Sequence, residues 1–373
     1  MKKILSLFLL CWFGLGWMEP TEVVRTFEGA KIFPENGKPE FYTMQWVNGT
    51  VLMTKKIPLQ IEVKDMGHQD IELLLNNDET PVLYAANIVT PVCADGECRL
   101  MYLRFYWNLL GEYAGYDRVL EEPLTKHDHD AFLEEDYRKL HLLLQDPHSV
   151  LRGREIEDLV EKPEPIEVNG VDAVAGATIT EVKESVVEGA LYSCYMAWHL
   201  VHGDIKEKLK QYTISRYDQS LGEQMLKSDE YDYQLFALRR LTQDQFLDYQ
   251  DRILELLKSS IPLVRTYIIK SLPQNYWKDE QLQLRTWECF AAVDINSKSL
   301  LLNHINSASE RVLKLLSRNL ETMTKNQLRV YLQSLNKRKN IEQETIENLQ
   351  TFSTSNQATY GYVVAEFLEN YEK

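Results

Sequence analysis

Along the first third of the chain apolar positions recur every second residue, and along the last half they recur every three or four. Leu103, Phe105 and Trp107 alternate with Tyr102, Arg104 and Tyr106, which predicts a strand. Ile57, Leu59, Ile61 and Val63 alternate with Pro58, Gln60 and Glu62. Proline cannot donate to a strand ladder, so this strand belongs at a sheet edge. Residues 41–47 and 50–57 flank Asn48-Gly49, a pair suited to a type I′ turn, and predict a hairpin. Residues 132–144 read as a helix, with Phe132, Tyr137, Leu140, Leu143 and Leu144 on its apolar side. Val182, Val186, Val187, Ala190, Leu191, Cys194, Ala197, Trp198 and Val201 predict one long amphipathic helix ending near Gly203.

Beyond about Asp204 the strand signal stops. Helical spacing predicts helices over 231–241, 245–259, 262–272, 281–293, 309–320, 325–335, 341–352 and 358–370. Short helices with short links suggest stacked pairs, an α-solenoid, with a compact bundle as the alternative. Pro262-Leu263-Val264-Arg265, followed by Ile268, Ile269 and Leu272, resembles the second helix of a HEAT repeat. The fold class expected is therefore an α+β domain over 17–203 followed by an all-α, HEAT-like helical domain over 204–373.

The N-terminus changes the setting. Lys2 and Lys3 precede an apolar run over 4–13, and Gly14-Leu15-Gly16 follows, the layout of a signal peptide cleaved after Gly16. Cys11 is preceded by Leu10, which is not small, so a lipid anchor is disfavoured. The mature protein is expected outside the cytoplasm, periplasmic or secreted, and soluble. With 41 basic and 56 acidic residues the net charge is −15, which repels phosphate backbones and argues against nucleic acid as a partner.

Export also changes how the cysteines read. Cys93 and Cys98 flank Asp95-Gly96, a favoured centre for a two-residue hairpin turn. They would form its first non-hydrogen-bonded pair, with Cα atoms about 4.5 Å apart. That separation and an oxidising compartment suit a structural disulfide.

Val171-Asp172-Ala173-Val174-Ala175-Gly176-Ala177-Thr178 resembles the flavinylation motif of the FMN-binding domain family, found in sodium-pumping quinone reductase and Rnf subunits. That motif is Asp, two variable residues, Ser or Thr, then Gly-Ala-Thr. Asp172, Gly176, Ala177 and Thr178 fall on it, while Ala175 stands where the family places a hydroxyl. The likeness extends over about 80–203 and is sharp over 172–178. It implies Thr178 as covalent acceptor of FMN through a phosphoester, a separate flavin transferase that uses FAD, and a redox partner at the membrane.

The residues themselves allow that chemistry. Thr178 and Glu181 have capping-box spacing at a helix start, where free N–H groups and the positive dipole end suit a phosphate. The plain alternative is that Thr178 is a helix cap and Gly176 a turn glycine. His127, His129, His141, His148, His199 and His202 form a competing candidate, a transition-metal site. A solvated loop and a helix end explain most of them. No nucleophile elbow, phosphate-binding loop, dinucleotide fingerprint or zinc-protease helix occurs in the sequence. No residue is singled out as catalytic. The expectation is an exported electron carrier with covalent FMN. The alternatives are a flavin-free scaffold whose helical repeats bind a protein partner, and a flavin-dependent reductase.

Overall fold

The computed structural model describes residues 25–26, 39–43, 55–63, 67–92, 99–127, 129–155 and 180–371. The chain divides into two compact units, Met1–Tyr217 and Asp218–Lys373.

In the first unit the strands are β1 (Arg25–Thr26), β2 (Phe41–Tyr42), β3 (Lys55–Val63), β4 (Gly67–Leu75), β5 (Pro81–Pro91), β6 (Leu100–Trp107) and β7 (Tyr113–Arg118). They form one antiparallel sheet in the order β2-β7-β6-β5-β4-β3, and β1 pairs with β5 beside this path. β3 is an edge strand, as Pro58 requires. The hairpin expected between 41–47 and 50–57 falls mostly outside the described residues. Phe41 and Tyr42 pair with Tyr116 and Gly115 on β7, while β3 pairs with β4 at the opposite end of the sheet. The turn Asn48-Gly49 itself lies outside the described residues.

The helices of this unit are α1 (Glu134–Gln145), α2 (Thr180–Ser185), α3 (Leu191–His202) and α4 (Asp204–Ser215). Three aromatic side chains from one face of the sheet end on three of them. The Tyr116 hydroxyl donates to the Tyr137 carbonyl of α1 at 2.8 Å. The Trp107 indole donates to the Val201 carbonyl of α3 at 3.0 Å. The Tyr84 hydroxyl meets that of Thr213 on α4 at 2.7 Å. All three aromatics are fully buried, so each tip needs such a partner.

The single helix expected over 182–201 is two. α2 ends at Ser185, and α3 begins only after Gly189, which adopts φ +73. That left-handed conformation suits glycine and shapes the turn that separates the two helices. Apolar spacing continues across the break because Val186, Val187 and Ala190 are buried in the turn as well.

In the second unit the helices are α5 (Gln219–Lys227), α6 (Tyr231–Leu238), α7 (Gln243–Asp248), α8 (Gln250–Leu256), α9 (Pro262–Ser271), α10 (Asn275–Lys278), α11 (Glu280–Trp287), α12 (Ile295–Leu302), α13 (Glu310–Ser317), α14 (Lys325–Asn336), α15 (Gln343–Thr354) and α16 (Gly361–Tyr371). The helix expected over 245–259 is interrupted at Tyr249, and α5, α10 and α12 were not anticipated. Packing runs in rows: α6 against α9, α9 against α12, α12 against α14, α14 against α16, and beside them α11 against α13 and α13 against α15. Buried polar side chains join neighbours within each row. Gln283 donates to the carbonyl of Ser307 at 2.6 Å and accepts from the Ser309 N–H at 2.8 Å. Gln327 donates to the Ile295 carbonyl at 2.8 Å.

Among the described residues, no helix is long and apolar enough to cross a membrane. The first compact unit runs to Tyr217, and α4 packs on the sheet through Thr213.

Candidate functional site

The sequence candidates Asp172, Gly176, Ala177 and Thr178 lie outside the described residues, as do Cys93, Cys98 and the signal peptide. Their surroundings in the chain are described on both sides. The segment before them is anchored: the Tyr195 hydroxyl of α3 donates to the Arg154 carbonyl at 3.1 Å. The segment after them enters α2, whose Val182 is fully buried. α2 has six residues, so its dipole is smaller than the long helix read from the sequence would supply.

α3 gathers the side chains nearest this segment in sequence. Tyr195, Trp198, His199 and His202 lie at helical spacing, and three of them reach main-chain carbonyls of 144–154. The Trp198 indole donates to Asp146 at 2.9 Å, and His202 Nε2 meets the Leu144 carbonyl at 2.8 Å. The His199 ring packs against those of Tyr195 and Trp198. Burial holds both imidazoles below the usual histidine pKa.

A second polar cluster spans the other face of the sheet. Buried Arg104 on β6 donates from Nε to the Tyr106 hydroxyl at 2.9 Å and to Asn87 Oδ1 at 2.6 Å, and it pairs with Glu72. The Tyr106 hydroxyl then donates to Asp117 Oδ2 at 2.6 Å, and Asp117 Oδ1 accepts the Glu40 N–H at 2.6 Å. Burial pushes the Asp117 carboxyl up even against its hydrogen bonds, and burial together with the Asp117 carboxylate pushes the Tyr106 hydroxyl up against Arg104. At Glu72, burial acts upward, but hydrogen bonds and charge from Arg104 and Lys56 prevail and lower it.

This network was not anticipated. The structure buries Arg104 and Tyr106 and places Leu74, Leu83 and Ala85 beside Tyr106. The available signal was that Tyr102 and Tyr106 make even the polar register of β6 aromatic. All three guanidinium nitrogens of Arg104 are bonded, so the cluster rigidifies the sheet rather than offering an open site.

The six candidate metal histidines are dispersed. His141 Nδ1 meets the Tyr113 hydroxyl at 2.8 Å, against the ring of Phe41. The His127 N–H donates to the Gly189 carbonyl, and His148 Nδ1 meets Arg152 at 2.8 Å. Among the described residues no three His, Cys, Asp or Glu side chains form a group able to hold a metal. The thiols of Cys194 and Cys289 are buried and pushed up to about 12 and about 11, which makes them poor nucleophiles. Comparisons with protein-family models, curated proteins and solved structures find no match.

Proposed function

We propose that the protein is an exported flavoprotein that carries FMN covalently on Thr178 and passes electrons outside the cytoplasm. The observation that carries this reading is the segment 172–178, in which Asp172, Gly176, Ala177 and Thr178 match the flavinylation motif at four positions. The donor set suits the bond. A threonine hydroxyl can displace AMP from FAD, so that its oxygen becomes the phosphoester oxygen and its proton leaves with solvent. Gly176 and Ala177 keep the approach free of bulk. A transferase would supply that step, and a redox protein at the membrane would be the electron donor. The flavin supplies the redox chemistry, and this chain supplies attachment and positioning.

An anchored segment on one side and the buried Val182 on the other support a role for the first unit as a rigid frame. The helical unit is read as a HEAT-like stack that binds a protein partner, on the strength of its two packed rows. The intact mass of the mature protein from its native host tests the proposal. An increase equal to one FMN less water is expected. An unmodified mass, beside a flavinylated control from the same cells, leaves the partner-binding scaffold as the better reading.

A further inference from the structure

Residues 144–154 run from the last turn of α1 to the start of the segment that contains Thr178. Three donors from α3 hold this strap by its carbonyls, Tyr195 on Arg154, Trp198 on Asp146 and His202 on Leu144, and His199 packs between the first two. We propose that His199 and His202 make this strap an acid-released clamp, closed when both imidazoles are neutral and opened by their protonation. The clamp does not depend on the flavin reading. It would hold the entry to 156–179 whatever that segment carries.

His202 uses Nε2 to donate. Its Nδ1, and Nε2 of His199, are buried and have no hydrogen-bond partner among the described residues. A second proton would therefore create a buried N–H, and a positive charge, with no acceptor. The wall around them is aromatic: the Trp198 ring centroid lies 5.0 Å from that of His199 and 4.8 Å from that of His202, and Tyr195 lies 4.1 Å from His199.

The charged neighbours act in both directions. Glu155 favours the imidazolium of His199, and Glu112 and Asp146 favour that of His202, while Lys206 opposes it. His202 ends α3, where the dipole favours a proton, but α4 begins two residues later with its N-terminus. Burial outweighs the carboxylates at both rings. A free imidazole takes up its proton near about pH 6.5. The clamped rings do so only at lower pH, so opening the strap binds protons. The clamp is complete above about pH 6.5 and weakens as pH falls below it.

The test is hydrogen exchange of the full-length mature protein at neutral and mildly acidic pH, corrected for intrinsic rates. The amides of Asp146, Ser149 and Arg152, bonded within the strap or to its start, report opening. The opening constant should rise about tenfold or more from pH 7 to pH 5 in the wild type. The paired variant His199→Asn, His202→Gln keeps a donor near Nε2 of His202 and cannot titrate. Its strap should exchange at a rate independent of pH. An unchanged wild-type opening constant, or an equal acid response in the variant, overturns the clamp. If the variant does not fold, ring titration of the wild type by NMR decides. Midpoints below that of free histidine support the clamp, and midpoints at or above it overturn it.

Discussion

The hydroxyl of Tyr84 on β5 lies 2.7 Å from that of Thr213 on α4, 129 residues further along the chain. Both residues are buried, and burial pushes the Tyr84 hydroxyl up to about 12. Gly111, at φ +76, approaches the Lys206 carbonyl so closely that a Cβ would sit 2.1 Å from it, and Glu112 pairs with Lys206 at 2.7 Å. These contacts make α4 part of the first unit.

Cutting after Gly203 should therefore damage the first unit, whereas cutting after Tyr217 should not. Without α4 the Tyr84 hydroxyl loses its partner, at about 1–3 kcal/mol if it stays buried. Apolar surface matched to Ile205 and Leu209 is uncovered as well. Thermal unfolding of fragments 17–203 and 17–217 should show a midpoint lower by several degrees for the shorter one. Tyr84→Phe in the full chain should cost about 1 kcal/mol. A fragment of 218–373 should give a nearly all-helical circular dichroism spectrum. Equal midpoints, or strand content in the last fragment, would contradict the division.

Asp294 joins two helices of the second unit. It caps α12 through the N–H groups of Asn296 and Ser297, and its Oδ2 lies 2.6 Å from Arg265 on α9. Hydrogen bonds from Ser297 and from Arg265 hold its carboxyl well below the usual range. Asp294→Ala removes a cap worth about 1 kcal/mol and leaves a buried guanidinium unpaired. Because Asp294 is partly exposed, the loss should fall between about 1 and 3 kcal/mol in denaturant unfolding. Asp294→Asn keeps the cap and should cost less. The depressed pKa sets the direction with pH: this stabilisation is present above the free carboxyl value of about 3.9 and is lost as pH falls through the folded value. The wild type should lose stability below about pH 4 faster than Asp294→Asn does.

If Cys93 and Cys98 are bonded, alkylation of the unfolded, unreduced mature protein should label Cys194 and Cys289 alone. Those two thiols are free and buried in the fold. So small a loop should contribute at the low end of about 2–4 kcal/mol. Labelling at four positions removes the disulfide.

Thr178→Val should abolish covalent flavin, because valine keeps the shape and lacks the oxygen. In-gel fluorescence after co-expression with a flavin transferase reads this directly, since only covalent flavin survives denaturation. Ala175→Ser restores the motif's hydroxyl and should preserve or increase loading. If Thr178 is only a cap, Thr178→Val should instead cost about 1 kcal/mol and leave fluorescence unchanged. A dark wild-type band beside a fluorescent control protein would end the flavin reading.

Local pattern by itself determined the division into a sheet-rich and a helical half, the edge position of the strand with Pro58, and many of the helices after Tyr231. These properties follow from side-chain period and from residues that restrict the backbone, and both act over a few neighbours. The candidate acceptor Thr178 was legible for the same reason, as a short contiguous motif. Tertiary structure decided what depends on distant partners. Phe41 pairs with Tyr116, far along the chain, because strand order is settled by the whole sheet. Arg104 is buried because Glu72, Asn87 and Tyr106, remote or nearby in sequence, converge on its guanidinium. His202 reads as a helix-end histidine until 144–154 folds over it, and only that contact gives its ring one bonded and one unpartnered nitrogen. A period of three or four marks which residues face inward, but it carries no information about which carbonyl will meet them there.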